Sequence, residues 1–311
     1  MKFVSAILLI SLFSNFQSED KKTKKAGKKM QEFVIGISKY AKNTNRDFIV
    51  IPQNGVELAF KNLDSNSDFN DAYLKAIDGI GIEDLFFNEE AKVDTYRLEM
   101  LRKIAKSKKI IVSDYISEDM AIAENNQQNI TEGFLSFPRS SSNEHYKEIP
   151  KDIIEENNSN ITKFSTAKNF LYLINSSNFK TKSAFIEAIA ATNFDVVSID
   201  LFYNNKPLTK ADVDQLKTKA NGGKRLVISY MNIGAAENWR YYWNPRWSLN
   251  NPIWLKKKYE GYDNEFYVEF WHQDWQNIIY GNEDSYLQKI MDAGFDGLYL
   301  DNVEAYYFLY N

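Results

Sequence analysis

Runs of apolar, β-branched and aromatic residues that end in a polar or acidic side chain recur along this 311-residue chain. Between them lie longer stretches in which apolar residues return every three or four positions. The runs predict eight strands, at Asp47–Pro52 (DFIVIP), Ile77–Phe87 (IDGIGIEDLFF), Lys109–Asp114 (KIIVSD), Phe170–Asn175 (FLYLIN), Asp195–Asp200 (DVVSID), Arg225–Tyr230 (RLVISY), Phe266–Trp271 (FYVEFW) and Gly297–Asp301 (GLYLD). The periodic stretches predict helices, among them Met30–Lys42, Thr95–Lys106, Lys182–Ala191, Lys210–Ala220 and Asp284–Ala293. Regular alternation of the two predicts an α/β fold with a parallel sheet. Eight units predict a closed (β/α)8 TIM barrel, with an open doubly wound sheet as the alternative.

Two regions break the pattern. Residues 138–168 are rich in Ser, Asn, Lys and Glu with little periodicity, and read as a surface linker between two half-barrels. Asn125–Asn129 (NNQQN) reads as a polar loop. At the front, Lys2 followed by the apolar run Phe3–Phe13 predicts a signal peptide over residues 1–18, too short to span a bilayer, and hence export. Six lysines between Lys21 and Lys29 then read as a solvated basic tether over 19–28, which leaves residues 29–311 as one domain.

Charge and residue supply narrow the chemistry. The formal net charge is −4, and the lysine-rich tail hides a more acidic body. Such a body disfavours phosphate-backbone contacts and suits a cationic or neutral substrate, so no nucleic-acid partner is expected. Cysteine is absent, which excludes disulfides, thiolate metal sites and a cysteine nucleophile. His145 and His272 are the two histidines, too few to favour a zinc site. Neither a Walker-type lysine loop nor a Gly-x-Gly-x-x-Gly motif occurs, so no nucleotide cofactor, and no other cofactor, is expected.

Several strands run into carboxylates: Glu83 and Asp84, Asp114, Asp200, Asp301, and Asp274 just past Trp271. A parallel barrel opens all its strand C-termini on one face, so these acids are expected to converge there. A convergent pair is what glycosidic cleavage needs, although an acid at a strand end is also a common helix cap. Trp239, Tyr241, Tyr242, Trp243, Trp247, Trp254, Trp271 and Trp275 crowd one window and supply flat faces for sugar rings or for packing.

The segments Tyr230–Arg240 (YMNIGAAENWR), Gly294–Tyr306 (GFDGLYLDNVEAY), Asp47–Gly55 (DFIVIPQNG) and Asp78–Phe87 (DGIGIEDLFF) together resemble glycoside hydrolase family 114. These are secreted TIM barrels associated with endo-α-1,4-polygalactosaminidase activity, some once labelled as related to cysteinyl-tRNA synthetase. The order departs from the family, in which the part like Lys168–Asn311 comes first and the part like Lys29–Pro150 second. The resemblance therefore implies a circular permutant. By motif, it implies Asp301 as nucleophile and Glu83 as acid/base of a retaining site, with carboxyls about 5–5.5 Å apart against roughly 6.5–9.5 Å for an inverting one. It further implies substrate contacts from Gln53, Asn54, Asp114, Asp200, Tyr230, Glu237, Arg240 and Trp271, and a Glu of bacterial relatives is replaced by Ala235. The expected function is that of a secreted or periplasmic, monomeric endo-glycosidase on a galactosamine-containing polysaccharide, without metal or membrane anchor. The alternative is a carbohydrate-binding barrel without catalysis.

Overall fold

The computed structural model describes residues 4–87, 93–116 and 121–310, with side chains from Lys21 onward except that of Ser141. The leader expected over residues 1–18 lies outside the described side chains, and its first three residues lie outside the described backbone.

Eight parallel strands make the frame: β1 (Ile49–Pro52), β2 (Gly79–Glu83), β3 (Lys109–Ser113), β4 (Leu135–Ser136), β5 (Phe170–Leu173), β6 (Val196–Asp200), β7 (Leu226–Asn232) and β8 (Gly297–Asp301). Nearly every residue in them is buried, as expected for strands covered on both faces. One ladder runs β1–β8–β7–β6–β5 and a second runs β2–β3–β4. A bridge between Gln53 and Gly81 joins them, so β2 follows β1. The strands thus stand in chain order, and the last strand pairs in parallel with the first, Leu300 beside Pro52. At the two edges Phe137, just past β4, meets Phe170 of β5 with ring centroids 5.5 Å apart.

The helices are α1 (Val4–Thr44), α2 (Asp71–Ala76), α3 (Thr95–Ile104), α4 (Ala121–Glu132), α5 (Lys182–Ala190), α6 (Lys210–Leu216), α7 (Gln273–Ile279), α8 (Tyr286–Asp292) and α9 (Ala305–Phe308). In α1, Ala26, Met30, Phe33, Val34, Ile37 and Ala41 recur at helical spacing and are all buried. Each large one contributes about 1.5–3 kcal/mol. That face packs on α2, α8 and α9, which ties the first helix to the last strand. Residues 21–28 belong to this helix rather than to a tether, because Ala26 is buried and a side chain at Gly27 would strike Leu63.

Three further expectations are corrected. Phe266–Trp271 is not a frame strand: Tyr262–Val268 pairs antiparallel with Ala235–Glu237 and Leu255–Tyr259 in a separate sheet inserted after β7. The eighth frame strand is Leu135–Ser136, too short to stand out from its surroundings. Asn125–Asn129 lies within α4 with Asn125 and Asn129 buried, because these amides find polar partners inside.

Aromatic rings fill the space between the strands. Tyr146 lies 4.1 Å from Tyr172, which lies 4.9 Å from Tyr299, by ring centroids. Gly81 makes room for them, since a Cβ there would fall 2.1 Å from the Tyr299 hydroxyl. Gly81→Ala is therefore expected to cost about 1–3 kcal/mol, read as a lower urea midpoint at unchanged slope.

Candidate functional site

A cleft of about 670 Å³ opens at the C-terminal ends of the strands, where a barrel's loops converge. Asp301 and Glu83 both line it. Asp301 ends β8 and Glu83 ends β2, with β1 between them. At about 4.8 Å per strand, their backbones stand roughly 10 Å apart across the sheet, within reach of one small substrate.

Each carboxyl is held by a tyrosine from a different wall. The Tyr230 hydroxyl of β7 donates to Asp301 Oδ2 at 2.6 Å, and the Asn302 backbone N–H donates to Oδ1 at 2.7 Å. Tyr146 donates its hydroxyl to Glu83 Oε1, and Arg139 Nη2 stands 4.0 Å from the same oxygen. Burial pushes Asp301 up to about 7, the Glu83 charge adding to it, while the two donated hydrogen bonds pull the other way. Two further lining carboxyls behave alike. Burial and the Asp301 charge raise Glu304 to about 8, and burial with the Glu237 and Asp301 charges raises Glu265 to about 8.

Arg240 and its partners form one wall. The guanidinium donates Nε and Nη2 to Glu237 at 2.6 and 3.1 Å, and Nη1 lies 2.7 Å from Asp200 Oδ2. With Arg240 7% and Glu237 2% exposed, the triad is a fixed part of the wall rather than a mobile charge. Gln53 lines the floor, buried, and accepts from Tyr172 at 3.1 Å. Asn54 sits behind the floor. Its Oδ1 accepts the Glu83 N–H at 3.1 Å and its Nδ2 donates to Glu304 Oε1 at 3.2 Å, so one amide sets the spacing of two lining acids.

Matched against models of known families, residues 152–311 fit the model of Glycoside-hydrolase family GH114. The chain belongs to this family. Its relatives include uncharacterized proteins of Methanocaldococcus jannaschii, 34% identical over 49% of this chain and 41% of the relative, and of Thermotoga maritima, 29% identical over 38% and 35%. A third, from Deinococcus radiodurans, is 32% identical over 39% of this chain and 37% of its own. The matched stretches span about two-fifths of the length of these curated relatives.

Within this GH114 chain, several expected site residues lie elsewhere. Asp114 is buried outside the cleft, where it accepts from the Leu85 and Phe86 N–H groups at 2.5 and 3.2 Å and from the Asn125 amide. It braces the loop after β2, and burial raises it to about 6 despite those donors. Trp271 packs against α1 with the Lys29 ammonium 4.0 Å from its ring, away from the cleft lining. Asp274 is exposed in the first turn of α7, which His272 caps. Of the aromatic window, Trp239 lines the cleft, whereas Trp254 and Trp275 are buried in a packed chain of rings with Trp243 and Trp247.

The lining also contains residues that motif reading passed over. Arg139 and Tyr146 come from the aperiodic stretch expected to be mere linker, and no periodic signal marks them. Glu304 lies three positions past Asp301, beyond the strand end on which attention falls. Tyr259, Tyr262 and Glu265 come from the inserted antiparallel sheet.

Proposed function

We propose that this GH114 chain is an endo-acting glycoside hydrolase that cleaves an α-1,4-linked galactosamine-containing polysaccharide by a retaining, two-carboxylate mechanism. The observation that carries the reading is the pairing of Asp301 with Glu83 in one cleft, each oriented by a tyrosine hydroxyl.

In the proposed reaction an Asp301 oxygen bonds to the anomeric carbon as the glycosidic C–O bond breaks, and Glu83 gives its proton to the departing oxygen. Water then attacks the same carbon, its proton passes to Glu83, and the Asp301 carboxylate leaves. Tyr230 and the Asn302 N–H keep the attacking carboxylate in one orientation throughout. Asp301 must be ionised to attack, and burial holds its proton up to about 7. A cationic sugar beside it favours the ionised form, so an amino sugar both binds the acidic cleft and activates its nucleophile.

The same proposal includes a closed (β/α)8 barrel in permuted order, secreted or periplasmic through the leader of residues 1–18, acting as a monomer. Supporting the order, the strand near the C-terminus pairs with the strand that follows α1, and the family match lies in residues 152–311. Among the described residues no helix is long and apolar enough to cross a membrane.

The test is proton NMR of the first products formed from an α-1,4-galactosamine polymer. The account predicts internal cleavage with the α-anomer appearing first. Immediate appearance of the β-anomer would replace the covalent step by direct attack of water.

A further inference from the structure

The inserted antiparallel sheet places Glu265 directly across from Glu237. Like charges in that position oppose each other. Glu237 is neutralised by Arg240, and Glu265 is not. Every other partly buried acid of the cleft accepts a hydrogen bond: Glu83 from Tyr146, Asp84 from the Tyr115 N–H, Asp200 from the Phe202 N–H, Asp301 from Tyr230 and Glu304 from Asn54. Among the described residues, Glu265 alone of them receives none.

Two further acceptors in the same cleft are unsatisfied. Asn302 is 2% exposed and its Oδ1 has no donor, and Glu304 Oε2 is likewise buried without one. The cations of the lining are already committed, Arg240 to Glu237 and Asp200 and Arg139 to Asp84. One donor of the lining, Arg139 Nε–H, is also unmet, but the unmet acceptors outnumber it and call for a ligand that brings several N–H groups and a positive charge. Among the described residues no three acidic or histidine side chains stand close enough to share a metal ion, so the cation is not drawn as a metal.

We infer that Glu265, with Asn302 Oδ1 as a second acceptor, binds the ammonium group of the sugar and is the residue by which this cleft prefers a free amine to an acetamide. The inference rests on the proposed function and deepens it. An acetylated nitrogen has one N–H and no charge, so it leaves Glu265 unpaired in a half-buried position, which costs more than the lost bond alone. The residue reaches the cleft from the inserted sheet, not from a frame strand, so selectivity and bond cleavage reside on different elements.

The test uses short α-1,4 oligomers of galactosamine and of N-acetylgalactosamine, titrated calorimetrically into Asp301→Asn and into Asp301→Asn/Glu265→Gln, with wild-type hydrolysis measured alongside. Asp301→Asn is expected to bind the free-amine oligomer at least ~10-fold tighter than the acetylated one. Glu265→Gln should weaken free-amine binding by about 10- to 100-fold and leave acetylated binding unchanged. A preference that survives Glu265→Gln, in a protein with an unaltered melting transition, overturns the inference. So does the absence of any preference before that change. Glu265-dependent preference without hydrolysis by the wild type keeps the inference and removes the glycosidase reading. Hydrolysis with a preference indifferent to Glu265 does the reverse.

Discussion

Asp301→Asn is expected to lower turnover by roughly 10⁴-fold or more, on the scale of other covalent nucleophiles, and at the same time to make the protein more stable above neutral pH. The two effects share one cause. Burial and the Glu83 charge raise Asp301 to about 7, whereas in an unfolded chain the group titrates near 3.9. Between those values the folded state holds a proton that the unfolded state has released, so its stability falls as pH rises through that window. Below about pH 4 both states are protonated and the cost is absent. Above about pH 7 it is fully present, on the order of 2–4 kcal/mol, and asparagine removes it, its one oxygen still accepting the Asn302 N–H while its amide N–H donates to the Tyr230 oxygen. Thermal melts at pH 4 and pH 8 should therefore show wild type and variant alike at the first and the variant several degrees higher at the second. Equal melting temperatures at both would mean that Asp301 stays ionised in the fold and that no strain is stored there. Glu83→Gln should lose about 10²–10⁴-fold in rate, the range for a general acid and base.

The second large effect lies at the opposite end of the sheet. Lys219 and Asp195 form an ion pair at 2.5 Å with both side chains fully buried. Asp195 also accepts from the Lys168 N–H at 2.7 Å and from the Asn157 amide, and Lys219 donates to Asn157. The pair therefore pins the 138–168 segment beneath β6, and that segment carries Tyr146 and Arg139 up to the cleft. Lys219→Met leaves Asp195 buried without its cation, which costs about 3–5 kcal/mol. The urea midpoint should drop accordingly, and Lys219→Met/Asp195→Asn should recover part of the loss because no charge is then stranded. A Lys219→Met midpoint within error of wild type would show that the backbone and amide donors alone satisfy Asp195.

The alternation of apolar runs and helices was enough to predict seven of the eight frame strands, because buried parallel strands are continuous apolar runs, and it put Asp301 and Glu83 at strand ends together with four other acids, from which the family resemblance singled them out. What it missed has particular causes. Leu135–Ser136 pairs over two residues only, so its run is too short to read. Phe266 and its neighbours are as apolar as a frame strand, yet Tyr267 and Val268 bury against an antiparallel partner, and pairing direction leaves no mark on composition. Asp114 has the strand-end position of an active acid, but its carboxylate is consumed by two backbone N–H groups and an asparagine from α4. Arg139, Tyr146 and Glu265 reach the cleft through segments whose placement is tertiary, which no local pattern encodes.

The central claim is that Asp301 and Glu83 together cleave a glycosidic bond, and the most direct test is release of oligosaccharides from de-N-acetylated and N-acetylated α-1,4-galactosamine polymers by wild type, Asp301→Asn and Glu83→Gln. The account predicts release by the wild type, greatest from the de-N-acetylated polymer, and loss in both folded variants. Undiminished release by either variant would contradict it for that residue, and folded wild type that binds the polymer without cutting it would contradict it altogether.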